Sequence, residues 1–161
     1  MSFKNKIFSI KDYPKLQFFV ILTLRVVVGY HFLYEGISKL LLNSWSAKVF
    51  LIQSNWIFAK TFQFIANSPS LLTITNLLNI WGQIFIGLGL ILGLFTKYAA
   101  YAGALLLLFY YVAYPPFATN NIFVDRNLLE LISLIMVAVF PTSKRIGLDG
   151  LMNKMGIVKN G

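Results

Sequence analysis

Long apolar runs interrupted by single polar positions dominate this chain. Four runs approach or exceed the roughly 20 residues that a helix needs to cross a bilayer. They cover about residues 16–42, 71–95, 98–117 and 122–140. The last carries Asp125, Arg126 and Glu130 in its first half. The pattern predicts an all-α fold: an integral membrane four-helix bundle, one domain over residues 1–161. Between the first two runs, residues 43–69 mix Trp45, Phe50, Trp56, Phe62 and Ile65 with serine, glutamine, asparagine and lysine. Such a mixture predicts an additional amphipathic helical segment lying at the outer interface or partly re-entrant. Pro115 and Pro116 are expected to end the third run and Pro141 the fourth, because proline lacks the amide donor. The first run is long, studded with polar groups and without a small-residue cleavage site, so it is expected to be retained rather than cleaved.

Composition agrees with a membrane class. Hydrophobic residues make up 58% of the chain and charged residues 12%, against about 25% charged in soluble domains. The net charge of +9 does not indicate nucleic acid. Its basic residues sit at the ends of apolar runs, where topology signals and lipid headgroup contacts belong. Lys4, Lys6, Lys11, Lys15, Lys97, Lys144, Arg145, Lys154 and Lys159 fall on one side, opposed by Lys39, Lys48, Lys60 and Arg126. The positive-inside rule then puts both termini in the cytoplasm, in a multi-pass protein expected in the inner (cytoplasmic) membrane. There is no cysteine, which excludes thiol redox chemistry, disulfides and thiolate-ligated clusters. A single histidine excludes a bis-histidine haem within one chain. No bound metal or haem is expected.

The polar positions inside the runs are the candidate chemistry, since an unpaired charge at the bilayer centre costs about 2.5–3.5 kcal/mol even on the lenient insertion scale. At 100° per residue, Arg25, Gly29, Gly36 and Lys39 fall within roughly 80° of one another on the first helix. Glu35 lies beside that stripe and His31 further round. Glu35 and Lys39 are in the favourable i, i+4 order, and the glycines would let a second helix approach. On the second helix Asn76, Asn79 and Gln83 share a side, with Gly82, Gly89 and Gly93 on an adjacent stripe expected to pack. On the fourth, Arg126, Glu130 and Ser133 follow i, i+4, i+7. The two charged seams predict that Arg25 or Lys39 meets Glu130 or Asp125 across the bundle. Tyr30, Tyr34, Trp81, Tyr110, Tyr111 and Tyr114 surround the same level, as interfacial anchors or as walls for a planar ligand. Asp149 is read as a helix cap.

Four ordered pieces resemble the DoxX family of small four-helix membrane proteins. They are Arg25 to Gly29 with Glu35–Gly36 and Lys39–Leu40; Gly87 to Ala100; Asn127 to Glu130; and Gly147–Leu148–Asp149 after Pro141 and the pair Lys144–Arg145. Together they cover most of residues 25–150. Members resemble the DoxD-type membrane subunit of thiosulfate:quinone oxidoreductase. The resemblance therefore implies a membrane partner for electron transfer to quinone. By position, Arg25, Glu35, Lys39 and Glu130 match the family's polar pattern. Gln83 stands where an acid is expected in many relatives, and residues 43–69 are longer than the minimal pattern.

These readings give a first expectation and two rivals. The first is a membrane subunit for quinone-linked oxidoreduction, working with a dehydrogenase subunit or as a homo-oligomer. Glu35 and Glu130 would move protons; Arg25, Lys39, Gln83, Asn79, Tyr34, His31 and Arg126 would hold the quinone. The second is a non-enzymatic anchor or assembly protein whose charges fix the bundle. The third binds a small molecule or lipid headgroup from the outer face, as a transport-like protein would, with residues 43–69 as a lid.

Overall fold

A computed structural model describes residues 15–42, 44–114 and 123–156. Its helices are α1 (Lys15–Leu41), α2 (Lys48–Gln53), α3 (Ala59–Asn67), α4 (Pro69–Leu92), α5 (Thr96–Tyr111), α6 (Arg126–Val139) and α7 (Leu148–Lys154), with a 3-10 turn at Thr142–Lys144. Among the described residues there is no strand. Pro115, Pro116, residues 118–122, Lys4, Lys6, Lys11 and Lys159 lie outside the described residues.

Helix ends follow local chemistry. Pro69 occupies the first turn of α4, where its missing amide hydrogen is no loss. Gly93 closes α4 in the left-handed region (φ 67°), and the Leu94 amide donates back to the Gly89 carbonyl at 2.9 Å, a Schellman closure. Phe95 follows, also left-handed at φ 47°, and α5 begins at once. The third and fourth helices are shorter than the apolar runs predicted. The third ends at Tyr111, after which Ala113 turns to bond Asn55 and Tyr110. The fourth starts at Arg126 because Asp125 is an extended N-cap whose carboxylate accepts from the Leu128 amide at 2.8 Å.

The four longer helices form an up-down-up-down ring in the order α1, α4, α5, α6, each packed on its neighbours. Their shared core includes Val28, Phe32, Leu90, Leu107, Leu134 and Val137. Glycines set the closest approach, between α1 and α4. A Cβ on Gly36 would lie 2.7 Å from the Ile84 side chain, and one on Gly87 2.5 Å from the Leu33 amide nitrogen. Gly82 departs from the packing expected of its stripe: a Cβ there would meet nothing within 4 Å.

Among the described residues, α1 and α4 are the two helices long and apolar enough to cross a membrane, and only 33% and 39% of their most apolar windows are buried inside the protein. Their outward faces are apolar and exposed, as at Val27, Leu78 and Phe85. An apolar surface of that extent marks an interaction with membrane or protein.

The two ends of the ring differ. At one, α2 and α3 form a cap with its own small core of Ala47, Leu51 and Ala66, joined by Trp45, Phe50 and Phe62. The amphipathic segment is thus two short helices rather than one. Asn76 ties it down by accepting from the Ala47 amide at 2.9 Å. Tyr114 does so from the α5 side, donating to the Phe50 carbonyl at 3.2 Å. At the other end, the 3-10 turn and α7 close over the α4–α5 turn. There Gly93 and Gly147 touch so closely that a Cβ on Gly93 would lie 2.7 Å from the Gly147 Cα.

Candidate functional site

Beneath the cap, ionisable side chains from α1 and α6 meet amides from α4. His31 lies between two carboxylates. Its Nδ1 is 3.1 Å from Glu130 Oε2 and its Nε2 3.8 Å from Glu35 Oε1. Glu35 holds Lys39 at 3.3 Å, and the Lys39 ammonium donates to Gln83 Oε1 at 2.7 Å. At the outer edge Arg126 reaches Glu130 at 3.7 Å. The result is one connected row, Arg126–Glu130–His31–Glu35–Lys39–Gln83, running from the exposed edge of α6 to the buried face of α4. Two of the three Lys39 donors are engaged in it, leaving one.

The row borders a chamber. A cavity of about 450 Å³ opens under the cap, lined by Lys39, Trp45, Phe50, Asn79, Tyr110, Tyr114 and Asn127, among others. A narrower pocket beside it reaches His31, Glu35, Gln83 and Glu130. Lys39 stands 5.4 Å from the Trp45 ring centroid. Tyr110 donates to Asn79 Oδ1 at 2.9 Å, which leaves the Asn79 amide hydrogens and the Tyr110 lone pairs for a ligand. Phe50 meets Tyr110 and Tyr114 edge-on at 5.4 and 5.3 Å. The volume lies within the roughly 300–1,000 Å³ typical of small-molecule sites. Its walls are aromatic and its donors few, which suits a planar ligand with acceptor oxygens.

Several expected site residues are placed elsewhere. Arg25 is not in the row. It is 2% exposed, about 21 Å along α1 from Lys39 at 1.5 Å per residue, and belongs to the opposite end. There its guanidinium donates to Thr142 Oγ1 at 3.1 Å and to the Ile146 carbonyl at 2.9 Å. The helical period puts Arg25 and Lys39 on one stripe but says nothing about depth. The expected pairing of Arg25 or Lys39 with Glu130 or Asp125 therefore does not form: Glu130 takes His31 and Arg126, and Asp125 caps α6. Tyr34 is 58% exposed on the outer face of α1, stacked on Tyr30 at 6.3 Å. Asp149 does cap a helix, but α5 rather than its own. It accepts from the Phe95 and Thr96 amides at 2.7 and 3.2 Å.

His31, Glu35, Lys39, Asn79, Gln83, Arg126 and Glu130 do come together. Sequence reasoning omitted Trp45 and Asn127 from the site and left Tyr110 undistinguished among the aromatic residues. The signal for Tyr110 was faint: a polar-tipped aromatic near the end of an apolar helix is usually an interfacial anchor.

Neither the curated proteins nor the solved structures yield a match to this chain. A family model described as DoxX matches residues 20–115, well over half of the 161-residue sequence. That stretch holds α1 from residue 20 on, the cap, α4 and α5, and so every residue of the row except Arg126 and Glu130. The chain belongs to the DoxX family of membrane proteins.

Proposed function

We propose that this protein is a four-span protein of the inner membrane that binds a quinone head in the capped chamber and serves a quinone-linked oxidoreductase. The observation that carries the reading is the chamber itself: an aromatic-walled cavity with a few polar groups, and with a lysine and two carboxylates at its edge, in a protein whose outer faces are apolar. Orientation rests on charge. Lys15, Lys97, Lys144, Arg145 and Lys154 belong to the α7 end, against Lys48, Lys60 and Arg126 at the cap end. Both termini are then cytoplasmic and the chamber lies in the outer half. Helices α5 and α6, at 16 and 14 residues, are about 24 and 21 Å long. Both fall short of a roughly 30 Å core, a mismatch that local thinning accommodates at modest cost.

Bound quinone supplies the two-electron acceptor that no side chain here provides. Lys39 donates to an acceptor oxygen and offsets negative charge arriving there. Asn79, whose amide hydrogens the Tyr110 contact leaves open, is a second donor to the quinone. Glu35, 3.3 Å from the Lys39 ammonium, is the carboxylate next to that lysine and the candidate proton carrier, with His31 and Glu130 behind it. The electrons come from a protein partner of the dehydrogenase class. A mobile gate is not needed for this reading, since the cap is tied down by Asn76 and Tyr114.

The test is organic extraction of detergent-purified protein, with mass spectrometry for co-purified quinone, and binding of a tail-less benzoquinone by thermal shift. Lys39→Gln should weaken binding by about 10–100-fold, the loss of one charge-assisted hydrogen bond of roughly 1.5–3 kcal/mol. Wild-type protein that carries no quinone and shows no shift would refute the reading. One observation favours a non-enzymatic anchor instead: Glu35 and Glu130 each have a cationic partner, as a structural network would. In that case Lys39→Gln would lower stability while quinone changed nothing.

A further inference from the structure

We infer that the apolar groove beside the chamber seats the hydrocarbon tail of the same molecule, which enters sideways from the bilayer between α4 and α5. The inference rests on the quinone reading for the head. The groove is a cavity of about 690 Å³ between α4 and α5, roofed by the cap. Phe62, Ile65, Leu78, Ile86, Leu105 and Phe109 are among its walls. It runs over about 16 Å of α4, from Thr75 to Ile86.

Three observations point to a tail. The groove and the polar chamber share Ala47, Phe50, Asn79 and Tyr110, so one molecule can occupy both, with its polar part against Asn79. The mouth of the groove is apolar and faces outward: Leu78 is 68% exposed, Leu105 53% and Phe109 47%. Water-soluble ligands have no favourable path there, whereas a molecule dissolved in the bilayer does. Gly82 lines the groove, and a Cβ on it would meet nothing within 4 Å. A helix-interior glycine with no close neighbour has no packing reason in the protein alone. It leaves room for something else.

Two probes separate head from tail. One is a tail-less dimethoxy-methyl-benzoquinone; the other carries the same head on a decyl chain ending in a diazirine. Photolabelling of wild-type protein in lipid nanodiscs should put the tail label in peptides covering residues 58–65, 75–86 and 102–110. Gly82→Phe fills the groove, so the label there should fall roughly fivefold or more, while affinity for the tail-less probe stays within roughly twofold. If Gly82→Phe weakens both probes, Leu105→Trp, which fills the groove from α5, decides. Loss of the tail label alone supports the inference, and loss of both again overturns it. Tail label spread evenly over the lipid-facing helices, with the tail-less probe still bound, means that ordinary bilayer lipid fills the groove, and only this inference falls. No binding of the tail-less probe to wild type removes the quinone reading and this inference with it.

Discussion

Two glycines on α4, five residues apart, are expected to respond to the same substitution with opposite signs. At Gly87 a new Cβ would lie 2.5 Å from the Leu33 amide nitrogen, 2.7 Å from the Leu33 Cβ and 2.8 Å from the Gly29 carbonyl oxygen. Two of these three atoms are backbone and cannot rotate away. Helix α1 must move outward by about 1 Å to restore ordinary contact. Overpacking of this kind typically costs about 1–3 kcal/mol, and the better helix propensity of alanine returns up to about 1 kcal/mol. The net loss for Gly87→Ala is about 1–2 kcal/mol. At roughly 2–4 °C per kcal/mol for a chain of this size, melting should fall by about 2–8 °C. At Gly82 the same change meets open space, so only the propensity term remains and melting should rise by about 2–4 °C. Thermal unfolding in one detergent, followed by intrinsic tryptophan fluorescence and by size-exclusion recovery, reads both. If the two variants shift in the same direction, α1 and α4 are not in tight contact at Gly87.

Other substitutions address the two ends of the ring. Arg25→Met should release the α7 end, because two charge-assisted hydrogen bonds of about 1.5–3 kcal/mol each are lost. Limited proteolysis should then cut within residues 142–156 faster, and Arg25→Lys should not restore protection because lysine lacks the planar fork. Phe95→Gly should raise melting despite removing a ring, since the ring is 55% exposed and the backbone is left-handed, a conformation that costs a non-glycine residue about 1 kcal/mol or more. An unchanged or lower melting temperature would show that the Phe95 ring contributes more than the strain removes. Arg126→Ala should change stability by less than about 1 kcal/mol, because its partnership with Glu130 is made from an exposed side chain. A larger loss in a urea titration would mean that the cation anchors the row.

Helices and polar faces were legible in the sequence, because long apolar runs and the 3.6-residue period report them directly. The i, i+4 pair of Glu35 with Lys39 was legible on one helix, but the cross-helix links of His31 to Glu130 and of Lys39 to Gln83 were not. Depth was not legible. Arg25 and Lys39 share a stripe yet serve opposite ends, and only the partner residues at 142 and 146 reveal it. Partners far apart in sequence were equally hidden, as where Asp149 caps a helix that starts 53 residues earlier. Glycine spacing also misled. Gly87, which carries the tightest contact, sits off the stripe formed by Gly82, Gly89 and Gly93, and the residue type alone cannot tell a packed glycine from an open one. The boundaries of the third and fourth helices shifted because hydropathy continues through Val112, Ala113 and Val124, where the backbone has already turned.

The Arg25 contacts also impose an order of events on biosynthesis. The guanidinium enters the protein interior only against Thr142 and Ile146, and the nearer of these lies 117 residues later in the chain. A ribosome adding about 5–20 residues per second needs roughly 6–23 s to make that stretch. For all of that interval the first helix has its arginine but not the groups that satisfy it. Until that segment is made, neither of these two hydrogen bonds can form. Once it arrives, both bonds close, and the first helix is fastened to the last part of the described chain.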